Sequence, residues 1–143
     1  MSYVSCTTVD GIAHVQLARP EKMNALNAAV REALVREIEA AEADDEARVL
    51  VFAGAGEKAF VAGADIGEFE GRSPVDQRAA MASPTLFDRV WECPMPTIAM
   101  IQGFCLGGGS ELALACDLRI ASESAKFGIP DLKLPVSYRV ASV

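Results

Sequence analysis

The chain has 143 residues, enough for one domain with a single moderate core. Its net charge of −7 argues against a general nucleic-acid or anionic-membrane surface, and no stretch approaches the ~18–20 uninterrupted apolar residues of a membrane span. No basic-then-apolar leader opens the chain and its four cysteines form no CxxC pair, so it reads as cytoplasmic, with buried free thiols rather than a disulfide framework or a metal site.

Two extended stretches come first, residues 3–9 and 12–17, separated by Asp10-Gly11, the dipeptide a tight hairpin turn favours because both central residues need φ > 0. Ala13, Val15 and Leu17 alternate with His14 and Gln16, which puts the only histidine on the face away from the apolar row. A strand histidine is expected there rather than a base, since no Ser or Cys partner presents itself. The Pro-containing loop Arg19-Pro20-Glu21-Lys22-Met23-Asn24-Ala25-Leu26-Asn27 ends at an N-cap, Asn27. Behind it Val30, Leu34, Ile38 and Ala41 recur at helical spacing to about residue 43, where Asp44-Asp45-Glu46 forms a solvated acidic turn.

Residues 48–53 (RVLVFA) form a buried strand, closed by the turn Gly54-Ala55-Gly56. A helix is predicted from about 75 to 92, broken near Ser83-Pro84 and stopped by Cys93-Pro94-Met95-Pro96. Thr97–Ile101 is another buried strand; Gly107-Gly108-Gly109 leads into a short apolar helix over 110–115. Residues 117–121 and 125–128 read as a further strand and a short edge strand. Strand, turn and helix recurring with short connections predict an α/β layered domain, without a literal sequence repeat.

Two glycine-containing loops carry the chemistry. The first, residues 58–66, follows the RVLVFA strand and leads towards a helical turn at 66–69; small residues at Ala62-Gly63-Ala64 let another molecule approach the backbone and leave the Ala64 N–H free to donate. The second, residues 103–112, places three glycines at a helix start, where unsatisfied N–H groups and the positive dipole end favour an anion. Each loop alone is a common turn. Together they can present two N–H donors to one oxygen, an oxyanion hole in which each donor is worth roughly 3–4 kcal/mol in the transition state. Glu111, in the first turn of the glycine-led helix, is placed to act as general acid or base beside that oxygen. A capping or dipole role explains a Glu there equally well, and spacing does not separate the two.

The series RPEKMNALN, KAFVAGADI, GFCLGGGSELALACDLRIA and AKFGIPDLKL resembles the enoyl-CoA hydratase/isomerase (crotonase) family, in order and in approximate intervals, over residues 3 to about 134. The resemblance implies a crotonase-like spiral of strand-strand-helix units. It implies Ala64 and Gly108 as the oxyanion donors and Glu111 as the first catalytic carboxylate. Asp131 takes the place of the second carboxylate, a Glu in hydratases of the family. It implies an acyl-CoA thioester as substrate, CoA arriving as part of that substrate rather than as a cofactor, and homotrimers or hexamers. CoA contacts are implied for Lys22, Ala25, Leu26, Ala62, Gly63, Ala64, Asp65, Ile66, Gly67 and Gly108, with Arg19, Lys22 and Lys58 as the side chains near its phosphates.

The implied reaction is hydration of a 2-enoyl-CoA by two carboxylates gripping one water, with double-bond isomerisation as the runner-up and a thioester-binding fragment without turnover as a third reading. Asp131 reaches about 1.5 Å less than Glu, and mispositioning by about 1 Å costs on the order of a hundredfold in rate. Residues 135–143 depart from the family pattern and fit a frameshifted tail on a shortened chain. The resemblance places pocket-covering helices beyond this point, so exposed apolar surface and weak activity are expected of the 143 residues alone.

Overall fold

The Asp10-Gly11 hairpin is realised in the computed structural model, which describes residues 3–69, 73, 75–76 and 85–129. Both turn residues take left-handed backbone, φ 50° and 80°, as a two-residue type I′ turn requires. The flanking strands β1 (Val4–Val9) and β2 (Ile12–Leu17) pair antiparallel, Thr7 opposite His14. Period-two alternation does the rest: β2 buries Ala13, Val15 and Leu17 and exposes His14 and Gln16. Helix α1 (Ala28–Glu42) starts where expected, the Asn27 side chain accepting the Val30 N–H at 2.9 Å. Its buried stripe of Val30, Ala33, Leu34, Ile38 and Ala41 packs on β1 and β2.

From β3 (Val49–Gly54) onward the chain winds in repeating turns. The first comprises β3, β4 (Ala59–Val61), a 3-10 turn (Ile66–Phe69) and α2 (Leu86–Trp91). The second comprises β5 (Thr97–Ile101), β6 (Phe104–Leu106) and α3 (Gly108–Ala115); β7 (Leu118–Ala121) and β8 (Lys126–Gly128) begin a third. Each turn lays one strand in a five-stranded sheet, order β1-β2-β3-β5-β7, and one in a three-stranded sheet, order β4-β6-β8. Among the described residues, every strand pairs in parallel after the hairpin. The α/β spiral of strand-strand-helix units is therefore present, a structural repeat without a sequence repeat. Its core holds Leu17, Leu26, Leu50, Phe52, Phe60, Ile101 and Leu112, all almost fully buried.

Several boundaries differ from expectation. Residues 59–61 and 104–106 are strands, not loop, paired Ala59 to Phe104 and Val61 to Cys105. Helix α3 begins at Gly108, two residues early, because the glycines themselves adopt its first turn. Of the helix expected over 75–92, the described part is Val75-Asp76 and α2; the latter opens on a Thr85/Asp88 capping box, and the Ser83-Pro84 break lies outside the described residues. So do Asp131 and the tail 135–143. All four thiols are free as expected, but only Cys105 and Cys116 are buried; Cys6 and Cys93 are half-buried. Strand β7 is exposed along its length, with Leu118 and Ile120 58% and 61% accessible, and Phe127 on β8 is 57% accessible.

Candidate active site

The two glycine loops meet where β4 and β6 end. Pairing of these strands brings the residues after Val61 against those after Leu106, so a Cβ on Gly63 would stand 3.2 Å from the Leu106 carbonyl oxygen. Gly63 (φ 101°) and Gly107 (φ 50°, ψ −117°) take backbone conformations that L side chains resist. Gly109 is dictated by packing instead: a Cβ there would lie 2.1 Å from the Val61 carbonyl oxygen. Gly108 faces Ala64, an added Cβ standing 3.8 Å from the Ala64 nitrogen and 3.4 Å from Leu26 Cδ1.

Around this junction most amides are committed internally. Leu26 N–H donates to the Gly63 carbonyl at 2.8 Å, Asp65 N–H to the Leu26 carbonyl at 3.0 Å, and Ala62 N–H to the Met23 carbonyl at 3.0 Å. Gly67 N–H donates to the Asp65 carboxylate at 3.3 Å, and Ala25 N–H to the Lys22 carbonyl at 3.1 Å. Among the described residues, the N–H groups of Ala64 and Gly108 donate to no protein acceptor. Backbone donors are nearly always paired, so two half-buried N–H groups on adjoining loops, neither with a protein acceptor among the described residues, are candidates to receive an oxygen.

The Gly108 side of the junction is also tied down. Gly107 N–H donates to the Gly128 carbonyl at 3.0 Å, and the Ser110 hydroxyl donates to the carbonyls of Cys105 (2.9 Å) and Gly128 (3.2 Å), tying the start of α3 to β6 and β8. Glu111 sits in the first turn of α3, half-buried, its N–H bonded to the Gly107 carbonyl at 3.0 Å. Glu111 follows Gly108 by three residues, one turn along α3.

Of the residues expected near a phosphorylated ligand, Lys22 and Lys58 are exposed, as are Ile66 and Gly67. Lys58 lines a cleft of about 220 Å³ between the 20–24 and 55–59 segments, with Pro20, Met23 and Asn24. Arg19 corrects the expectation. It is 8% exposed, pairs with Asp65 at 3.1 Å and donates to the Ala25 carbonyl at 2.9 Å, so its guanidinium is turned inward rather than towards a phosphate. The Arg19 hydrogen bond holds the Asp65 carboxyl below its ordinary range. Leu26 bonds the 63–65 backbone through its own N–H and carbonyl, and the Ala25 carbonyl accepts from Arg19.

Sequence reasoning also missed Asn24. Buried at φ 56°, it accepts the Arg19 N–H (3.0 Å) and donates to the carbonyls of Ala55 (3.0 Å) and Ala59 (2.9 Å). Non-Gly residues at positive φ are enriched in Asn, which was the available signal. A second ion pair, Arg31 to Glu68 at 2.7 Å, and a 2.5 Å bond from the Ala28 N–H to Glu68 fix the far side of the donor loop to α1. Among the described residues no cluster of three His, Cys, Asp or Glu side chains could hold a metal, and no helix is long and apolar enough to cross a membrane.

Residues 7–137 match the family described as enoyl-CoA hydratase/isomerase. The short-chain-enoyl-CoA hydratase of Clostridium acetobutylicum is 39% identical over 127 residues, 88% of this chain and 49% of that protein. A probable enoyl-CoA hydratase of Rhizobium meliloti is 45% identical over 122 residues, 85% and 47% of the two chains. Among solved structures, an enoyl-CoA hydratase/carnithine racemase from Magnetospirillum magneticum superposes with a TM-score of 0.88 at 38% identity, covering 98% of this chain and 54% of its own. The chain thus spans about half the length of the curated relatives it matches.

Proposed function

The chain belongs to the enoyl-CoA hydratase/isomerase family, and on that premise we propose that it supplies the thioester-activating half of an enoyl-CoA hydratase. The observation that supports this reading is the approach of Gly108 to Ala64, each with an N–H that no protein acceptor takes among the described residues, with Glu111 one turn on along α3. In the proposed reaction the thioester carbonyl of a 2-enoyl-CoA accepts both hydrogen bonds. Water oxygen bonds to Cβ, the double-bond electrons move through Cα onto the carbonyl oxygen, and the resulting enolate is held by the two donors. Glu111 takes the proton of the attacking water, and a proton is returned to Cα as the carbonyl re-forms. Asp131 is proposed as the second carboxylate.

CoA is part of the substrate, so no resident cofactor is invoked. Lys22 and Lys58, exposed on the side of the 19–26 loop, are proposed to meet its phosphates. A cytoplasmic location and self-association into trimers or hexamers are proposed with the reading.

A second reading, thioester binding without turnover, is favoured by the exposed apolar row of β7 and β8 beside the α3 end of the spiral. One experiment separates the two: loss of crotonyl-CoA absorbance with the purified chain and with Glu111→Gln. Turnover that Glu111→Gln removes supports the hydratase. Binding of the CoA ester with no turnover supports the binding fragment, and neither binding nor turnover contradicts both.

A further inference from the structure

The segment Arg19–Asn27 carries part of the family resemblance, yet the proposed chemistry uses none of its buried side chains. Its geometry gives it a task. A trans peptide points its C=O and N–H in opposite directions. The Gly63 carbonyl is drawn to the Leu26 N–H at 2.8 Å, so the N–H of the same peptide unit, that of Ala64, must point away from Leu26. The next unit is fixed by the Asp65 N–H donating to the Leu26 carbonyl at 3.0 Å. Both peptide planes flanking Ala64 therefore take their orientation from one residue, Leu26, across a single isolated bridge.

A lone bridge is a weak restraint, and Arg19 reinforces it from outside. One guanidinium nitrogen donates to the Ala25 carbonyl (2.9 Å), adjacent to Leu26, and the other to the Asp65 carboxylate (3.1 Å), adjacent to Ala64. The planar fork thus spans the two sides of the bridge, which a lysine cannot do. Asn24 in turn accepts the Arg19 backbone N–H at 3.0 Å, fixing the base of the fork. We infer that Arg19, through Asp65, is a positioning residue for the oxyanion hole, setting the direction of the Ala64 N–H rather than contacting a CoA phosphate. This rests on the proposed thioester-holding function.

The test uses the 143-residue chain and Asp65→Asn, which keeps the shape but removes the charge that anchors the fork; Arg19→Lys is the second variant. Each is titrated with acetoacetyl-CoA, whose enolate is read by its near-ultraviolet absorbance, and with S-ethyl-CoA, a thioether that lacks the carbonyl oxygen. Amide exchange at Leu26, Ala62 and Asp65 is followed alongside. The variants are expected to keep the circular dichroism spectrum, to lose about tenfold more enolate signal than S-ethyl-CoA affinity, and to exchange those three amides about tenfold faster. Unchanged exchange overturns the inference with or without a ligand signal. An unchanged enolate signal, or equal loss of both ligands, overturns it as well. A wild-type chain that binds neither ligand, but whose variants show faster exchange, contradicts the proposed function and leaves the Arg19–Asp65 lock standing as the loop's restraint.

Discussion

Gly109→Ala is expected to destabilise the chain although it replaces a glycine inside a helix. By propensity alone the change should stabilise, by up to about 1 kcal/mol in a helix interior. The structure reverses the sign. The new Cβ would stand 2.1 Å from the Val61 carbonyl oxygen and 2.9 Å from Val61 Cβ, both on β4. Ordinary contact begins near 3.4 Å, so α3 and β4 must part by about 1.3 Å, an overpacking strain of about 1–3 kcal/mol. For a domain of this length that is a fall in Tm of roughly 3–10 °C.

The same separation moves Gly108 relative to Ala64, and about 1 Å of misplacement costs on the order of a hundredfold in rate. Gly108→Ala is the control, one residue earlier in the same helix. Its Cβ meets Leu26 Cδ1 at 3.4 Å, Phe87 Cζ at 3.7 Å and the Ala64 nitrogen at 3.8 Å, all tolerable, so its Tm should stay within a degree or two. Thermal unfolding by circular dichroism compares the pair. A Gly109→Ala chain as stable as Gly108→Ala would refute the packing argument and the fixed junction of α3 with β4.

Asn27→Ala removes the acceptor of the Val30 N–H at the head of α1 and should cost about 1 kcal/mol in urea unfolding, with an unchanged m-value; no change would mean the cap is satisfied otherwise. Asp65, its carboxyl held below the ordinary range by the Arg19 hydrogen bond, contributes stability that is present above the unfolded value near ~3.9 and is lost as pH falls through the lower folded value. An acid titration of unfolding free energy should therefore be shallower in Asp65→Asn below about pH 4, and an unaltered acid limb would contradict the pairing. Burial pushes the Cys116 thiol up to about 12, so a thiol-alkylating reagent near neutral pH should modify it only after unfolding, whereas half-buried Cys6 and Cys93 label before it; labelling of native Cys116 at the rate of Cys93 would contradict that burial.

What the sequence made legible follows from range. The hairpin rests on two adjacent residues, Asp10 and Gly11, and the cap of α1 on Asn27 and its N–H donor three residues on, so local chemistry decides both. Strands β4 and β6 are three residues each and exist because Ala59 finds Phe104, a partner far along the chain, so no local period marks them. Arg19 was expected near a phosphate for the same reason: its partner Asp65 is 46 residues away. The three consecutive glycines were visible as a loop, but not that Gly107 answers to backbone conformation and Gly109 to contact with Val61, while Gly108 between them has room for a Cβ. The resemblance named Ala64 and Gly108 as donors; the hydrogen-bond pattern adds that, among the described residues, neither N–H has a protein acceptor, while those of Asp65 and Gly107 do.

Backbone amide NMR of the chain, titrated with a CoA thioester and separately with the matching thioether, tests the central claim most directly. The account predicts downfield movement of the Ala64 and Gly108 amide protons with the thioester, absent with the thioether, because those two N–H groups hold the carbonyl oxygen. Thioester binding that leaves either proton in place, with the shifts gathered at other amides, would contradict it.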